Sequence, residues 1–211
     1  MAKERLKSPR ARLFVALDLP DAVREGLAAW QREELGDESL RPARPETLHM
    51  TLAFLAYHPE RALERIAEAA LGFEAEAPRI RLLADPVPVP RSRPRLFAID
   101  TDSEQSTALQ AEVERRLVEV GFYEPEKRDF WPHLTVARVR VERRPRSEGK
   151  RRRRGPPMRV ESPPGPLPEA LLEPFRGVRI TLYRSHLRPT GAEYESVAQL
   201  ELPSSGGGKV T

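Results

Sequence analysis

One four-residue pattern is written twice in this chain, as His49-Met50-Thr51-Leu52 and as His133-Leu134-Thr135-Val136. In extended backbone, residues two apart share a face. His49 then stands beside Thr51, and His133 beside Thr135. Met50, Leu52, Leu134 and Val136 turn the other way, toward a core. An imidazole gives or takes a proton near neutral pH, and a hydroxyl donates a hydrogen bond to an anionic oxygen. Two such strands facing each other across a cleft would set two imidazoles and two hydroxyls around one small anion. That equipment suits displacement at phosphorus without a metal, with a neutral His as base and a protonated His as acid. A single copy reads as an ordinary half-exposed pair. The chain has only four histidines, and two are used in the same phase with the same apolar backing.

Phe54 lies five residues after His49, and Arg138 five after His133. That odd offset puts both on the apolar face of a regular strand. They reach the cleft only past a bulge or at a strand end. His58 precedes Pro59 at the start of a predicted helix and reads as a surface cap. No metal is expected, because the motif histidines are far apart in sequence with no carboxylate cluster nearby, and Asp129 alone is insufficient. The absence of cysteine excludes disulfides, thiolate zinc sites and thiol nucleophiles. No Gly-rich loop with a lysine is present, so no nucleoside triphosphate and no cofactor are implied.

These side chains need a scaffold, and 211 residues suffice for one large domain or two small lobes. RLFVALDLP, 12–20, reads as a strand ended by Pro20. DAVREGLAAWQREEL reads as a helix capped by Asp21. A proline-punctuated turn leads to a strand from near Thr47. Residues 58–73 read as an amphipathic helix with Pro59 in its first turn. PRIRLLADPVPVP and RPRLFAIDT read as two strands, 106–122 as a helix stopping at Gly121, and 130–141 as a strand. VRITLYRSHL and EYESVAQLEL read as a strand pair around the turn Pro189-Thr190-Gly191. Mixed strands and helices without strict alternation favour an α+β fold. Each motif follows a helix, which suggests two similar lobes.

The net charge is +4, unevenly spread. Residues 141–160 hold nine basic and two acidic residues, a surplus of +7, which leaves −3 for the rest of the chain. The expected organisation is a basic tail at 1–10, a single bilobal catalytic domain at 11–203, and a flexible tail at 204–211. A disordered basic loop at 142–166, suited to capturing an RNA backbone, is expected to interrupt the domain. No stretch reads as a signal peptide or membrane span, so a cytoplasmic monomer is expected.

RLFVALDLP, HMTLAFL, PHLTVAR and LYRSHLRPTGAEYESV occur in order across residues 12–202. Together they resemble the 2H phosphoesterase superfamily. Within it the chain is most similar to the bacterial and archaeal RNA 2′,3′-cyclic phosphodiesterases (LigT-like), historically called 2′–5′ RNA ligases. The resemblance implies two pseudo-symmetric lobes of antiparallel sheet with outer helices around a central cleft. It also implies metal-independent hydrolysis of RNA 2′,3′-cyclic phosphates to 2′-phosphates. By likeness His49 is the general acid and His133 the general base, an assignment that the symmetry leaves reversible. Thr51, Thr135 and Arg138 would hold the phosphate, and Phe54 would stack on the base. Tyr183 and Ser185 would be structural or cleft-lining, and His186 would have no catalytic duty. The family commonly has a glycine shortly after the phenylalanine-leucine pair, where this chain has Ala56-Tyr57. Reversible 2′–5′ RNA joining, another cyclic nucleotide substrate, or a non-enzymatic RNA-binding module remain as alternatives.

Overall fold

The computed structural model describes residues 9–142, 155–188 and 191–203. Its strands are β1 (Arg10–Asp18), β2 (Leu40–Pro42), β3 (His49–Pro59), β4 (Arg79–Val89), β5 (Leu96–Asp102), β6 (His133–Val139), β7 (Phe175–Arg176), β8 (Arg179–Arg188) and β9 (Gly191–Glu201). Its helices are α1 (Asp21–Glu34), α2 (Leu63–Leu71) and α3 (Glu104–Glu119). The strands form one curled antiparallel sheet ordered β7-β4-β5-β6-β3-β1-β8-β9, with β2 added to β6. This is the expected α+β, bilobal architecture. One lobe carries β1, β3, β8 and β9, and the other carries β2, β4, β5, β6 and β7. They meet where β3 and β6 share a single rung, Met50 opposite Leu134.

The duplication runs deeper than the tetrapeptides. Ala16, Leu17 and Asp18 of β1 pair with Thr51, Met50 and His49 of β3. Ala98, Ile99 and Asp100 of β5 pair with Thr135, Leu134 and His133 of β6. In both ladders the register slips just past the threonine, leaving Leu52 and Val136 without partners of their own. Strand alternation shifts there by one. Leu52 and Ala53 are both buried, as are Val136 and Ala137, and Phe54 and Arg138 then emerge exposed.

The bulge also frees the Val136 carbonyl from its ladder, and a buried carbonyl needs a donor. It accepts from the buried Gln31 side chain of α1 at 2.7 Å and from the Ala43 N–H at 2.8 Å. The first helix of the chain is thereby tied to the second motif. Trp30 donates from Nε1 to the Pro166 carbonyl at 3.1 Å. On the other lobe α2 and α3 pack together, with Arg116 donating to the Ala69 carbonyl at 2.8 Å. Ser103 caps α3 through the Ser106 N–H at 3.0 Å, and the chain leaves that helix through Gly121 at φ +73°. Among the described residues no helix is long and apolar enough to cross a membrane.

Several expectations need correction. The helix predicted over 58–73 starts late, because residues 57–59 pair with Arg10–Arg12 and extend β3. His58 is therefore a strand residue with its ring edge-on to Phe122 at 5.7 Å, rather than a helix cap. The cap of α1 is Pro20, with Asp21 inside the first turn. β2 and β7, at three and two residues, are too short to show a period.

The loop expected to be disordered over 142–166 is bound to the body at its later part. The Glu161 and Ser162 N–H groups donate to Asp37 at 2.8 and 2.9 Å, and Gly165 N–H donates to Glu34 at 2.9 Å. Residues 143–154, with most of the arginines, lie outside the described residues. So do residues 1–8, Pro189-Thr190 and 204–211.

A second slip separates Leu13↔Ala56 from Phe14↔Phe54, and there Ala56 takes φ +57°. A Cβ in that left-handed region costs about 1–2 kcal/mol. Replacing Ala56 with Gly relieves the strain at some cost in unfolded-chain entropy. Ala56→Gly is expected to stabilise the fold by about 0.5–1 kcal/mol, measured by urea unfolding; destabilisation would contradict the strain.

Candidate active site

The face shared by the two motifs lines a cleft of about 260 Å³. His49, Thr51, His133, Thr135, Phe54 and Arg138 all border it, joined by Arg12, Phe14, Arg41, Arg44 and Tyr194. The motif strands do not face each other across a gap, as expected, but lie side by side in one sheet. Extending the Met50–Leu134 rung by one residue each way sets His49 opposite Thr135 and Thr51 opposite His133. Each imidazole therefore has a hydroxyl on its own strand and another across the ladder.

The two histidines sit in different environments. The His49 ring stacks on Phe14, centroids 5.1 Å apart, and meets Tyr194 edge-on at 5.4 Å. Phe14 in turn stacks on Tyr183 at 5.2 Å. Burial in this aromatic sleeve lowers the His49 pKa to about 4, with further lowering by the charges of Arg138 and His133. The Tyr183 hydroxyl donates to Asp18 at 3.0 Å, and Asp18 also accepts from Thr181 at 2.8 Å and Arg179 at 3.2 Å. Burial, then the Asp18 charge, pushes the phenol up to about 12, so Tyr183 is a fixed donor and the prop behind the sleeve.

His133 is held by Trp131. The indole stacks on the imidazole at 4.0 Å, and the Trp131 carbonyl lies 2.7 Å from Nδ1. A carbonyl only accepts, so Nδ1 carries a proton and Nε2 is left as the titrating atom. The indole Nε1 donates to Asp100 at 2.6 Å. Burial lowers the His133 pKa below the ordinary value, while the Trp131 carbonyl and the Asp100 carboxylate oppose it.

Phe54 is 41% exposed at one end of the cleft. The Arg12 guanidinium lies over its ring at 4.5 Å and donates to the Ser185 hydroxyl at 2.8 Å. Ser185 thus positions Arg12. His186 is 2.9 Å from Glu195 on the surface, and Tyr57 is exposed outside the cleft. Sequence reasoning missed Arg12, Arg41, Arg44 and Tyr194. It also missed Asp18 and Asp100, for which a signal existed: Ala-Leu-Asp and Ala-Ile-Asp stand 31 and 33 residues before the two histidines.

Residues 17–95 match the family model described as LigT like Phosphoesterase. The RNA 2′,3′-cyclic phosphodiesterase of Thermus thermophilus is 31% identical over 200 residues, covering 90% of each chain. The chain belongs to the LigT-like phosphoesterase family. An RNA 2′,3′-cyclic phosphodiesterase of Archaeoglobus fulgidus is 35% identical over 131 residues, 61% of this LigT-like chain and 73% of the relative. Among solved structures, a Thermus thermophilus protein superposes with a TM-score of 0.70 at 26% identity, covering 92% of this chain and all of that one. Escherichia coli LigT complexed with 3′-AMP shares the fold, with a TM-score of 0.65 at 22% identity over 92% of this chain and 99% of that one.

The depressed imidazoles couple the LigT-like fold to pH. Between pH 6.5 and about 4 an unfolded His49 is protonated while the folded one stays neutral. The unfolded chain then binds more protons, so stability falls as pH is lowered through that window. Ring-proton NMR is expected to show one histidine titrating near 4. Urea unfolding should show an acid loss that is smaller in His49→Asn; a His49 midpoint near 6.5 would contradict the burial.

Proposed function

We propose that this chain hydrolyses 2′,3′-cyclic phosphate ends of RNA to 2′-phosphates, without a metal, through His49 and His133. The observation that carries the reading is the pair of His-x-Thr strands locked at one rung, with their imidazoles and hydroxyls on the common wall of one cleft. The names of the relatives, RNA 2′,3′-cyclic phosphodiesterases, support the substrate.

Water attacks phosphorus on the side opposite the 3′ oxygen. One imidazole takes the water's proton, the P–O3′ bond breaks, and the other imidazole protonates the departing 3′ oxygen. The phosphate stays on the 2′ oxygen. Thr51 and Thr135 donate to the non-bridging oxygens as charge builds, and Arg138 offsets that charge. Phe54, backed by Arg12, offers a face to the base. Among the described residues no Asp or Glu lines the cleft, whereas hard cations need oxygen ligands. The donor set therefore suits proton transfer better than metal catalysis.

The electrostatics of the cleft separate the two histidines. Burial disfavours a proton on both rings; beyond it, Arg138 and His133 disfavour one further on His49, whereas the Trp131 carbonyl and Asp100 favour one on His133. His133 is then the acid and His49 the base, the reverse of the assignment implied by family likeness.

The test is a cyclic-phosphate-ended oligoribonucleotide incubated in EDTA, with the product phosphate position identified. A 2′-phosphate is expected. His49→Ala and His133→Ala should each lower kcat by about 10³-fold or more, and Thr51→Ala or Thr135→Ala by about 10²-fold. A substrate with sulfur as the bridging 3′ atom needs no leaving-group proton, so it should rescue His133→Ala but not His49→Ala. Near-normal turnover in His133→Ala, or abolition by EDTA, would sink the mechanism, and rescue of His49→Ala alone would restore the family assignment.

A further inference from the structure

Arg41 of β2 stands directly across the ladder from Arg138 of β6. Cross-strand partners share a face with their Cβ atoms about 5 Å apart, and like charges there repel. The register cannot slip to relieve them. Leu40 pairs with Val139 and Pro42 with Ala137, and the strand is pinned by Ala43 N–H to the Val136 carbonyl at 2.8 Å and Arg140 N–H to the Ser39 carbonyl at 2.7 Å. Arg44 follows three residues after Arg41 and borders the same cleft. All three arginines are exposed. Among the described residues none of them makes an ion pair, and no Asp or Glu lines the cleft.

A cyclic phosphodiester carries one negative charge. Arg138 and the two threonines are enough to hold it, so Arg41 and Arg44 exceed what the reacting group needs. The antiparallel rung also gives the cleft a direction. Beyond it, β3 runs toward Phe54, over whose ring Arg12 lies, and β6 runs the opposite way toward Arg138, beside Arg41. Guanidinium forks match the non-bridging oxygens of phosphate.

We infer that Arg41 and Arg44 form a subsite for a second phosphate. The cleft then selects nucleotides that carry a phosphate beyond the reacting one. Its substrates are RNA ends and 5′-phosphorylated cyclic nucleotides, ahead of cyclic phosphates of bare nucleosides. The inference rests on the phosphodiesterase reading and specifies its substrate class.

The probes are adenosine 2′-monophosphate and adenosine 2′,5′-bisphosphate, titrated calorimetrically against the whole chain and against an Arg41→Gln/Arg44→Gln double variant. Removing a charge-assisted phosphate contact is worth about tenfold in affinity. The wild type should bind the bisphosphate about tenfold or more tighter than the monophosphate, and the ratio should shrink as salt is raised. In the double variant the ratio should fall toward one. A ratio near one in the wild type, or an unchanged ratio in the double variant, overturns the subsite. If cyclic phosphate is hydrolysed while the ratio is one, only the subsite fails. If neither probe binds and no cyclic phosphate is hydrolysed, the phosphodiesterase reading fails and the subsite with it.

Discussion

A single ladder rung, Met50 against Leu134, is the constraint on which the rest of the site depends. Both side chains are fully buried, so the strands cannot rotate about it without exposing core. Because a strand alternates, burying those two residues turns their neighbours outward, and those neighbours are the two histidines and the two threonines. Sliding either strand by one residue would bury the imidazoles and expose the core. Hydrophobic burial thereby fixes which four polar groups share a face, and the meeting of two lobes fixes that they share one cleft.

The bulges extend that logic. A regular strand would send Phe54 and Arg138 into the core. One extra residue at Leu52 and at Val136 shifts the phase and delivers both side chains to the cleft. At Val136 the unladdered carbonyl is met by Gln31 and Ala43, so α1 and the segment leading into β3 hold the second motif in shape. The near-symmetry of the backbone is broken by its packing. His49 is enclosed by Phe14, Tyr183 and Tyr194, while His133 is oriented by Trp131 and Asp100. Two equivalent imidazoles become unequal through their neighbours, as the proposed acid and base pair requires.

Much of this was legible in the residues themselves. The His-x-Thr repeat, its apolar backing and the order of the long elements follow from period-two and period-3.6 patterns. The need for a bulge before Phe54 and Arg138 was readable as an odd offset. What pairing decides was not legible. β2 has three residues and no period, yet it places Arg41 beside Arg138. The end of β3 carries helix-like residues, and only its ladder with β1 makes it extended. Arg12 and Arg44 lie in segments whose local pattern says nothing about the cleft. The proline-rich stretch after Gly155 looked unstructured by composition, but Asp37 and Glu34, far away in sequence, hold it through backbone N–H groups.

The central claim is that the two motifs form one reacting unit and not two separate sites. A double-mutant cycle on turnover measures this directly, comparing His49→Ala, His133→Ala and the pair against the wild type. Residues acting in one displacement are strongly non-additive. The double variant is expected to turn over about as slowly as the worse single variant. Multiplicative losses, with the double variant slower by the product of the two single effects, would contradict a shared site.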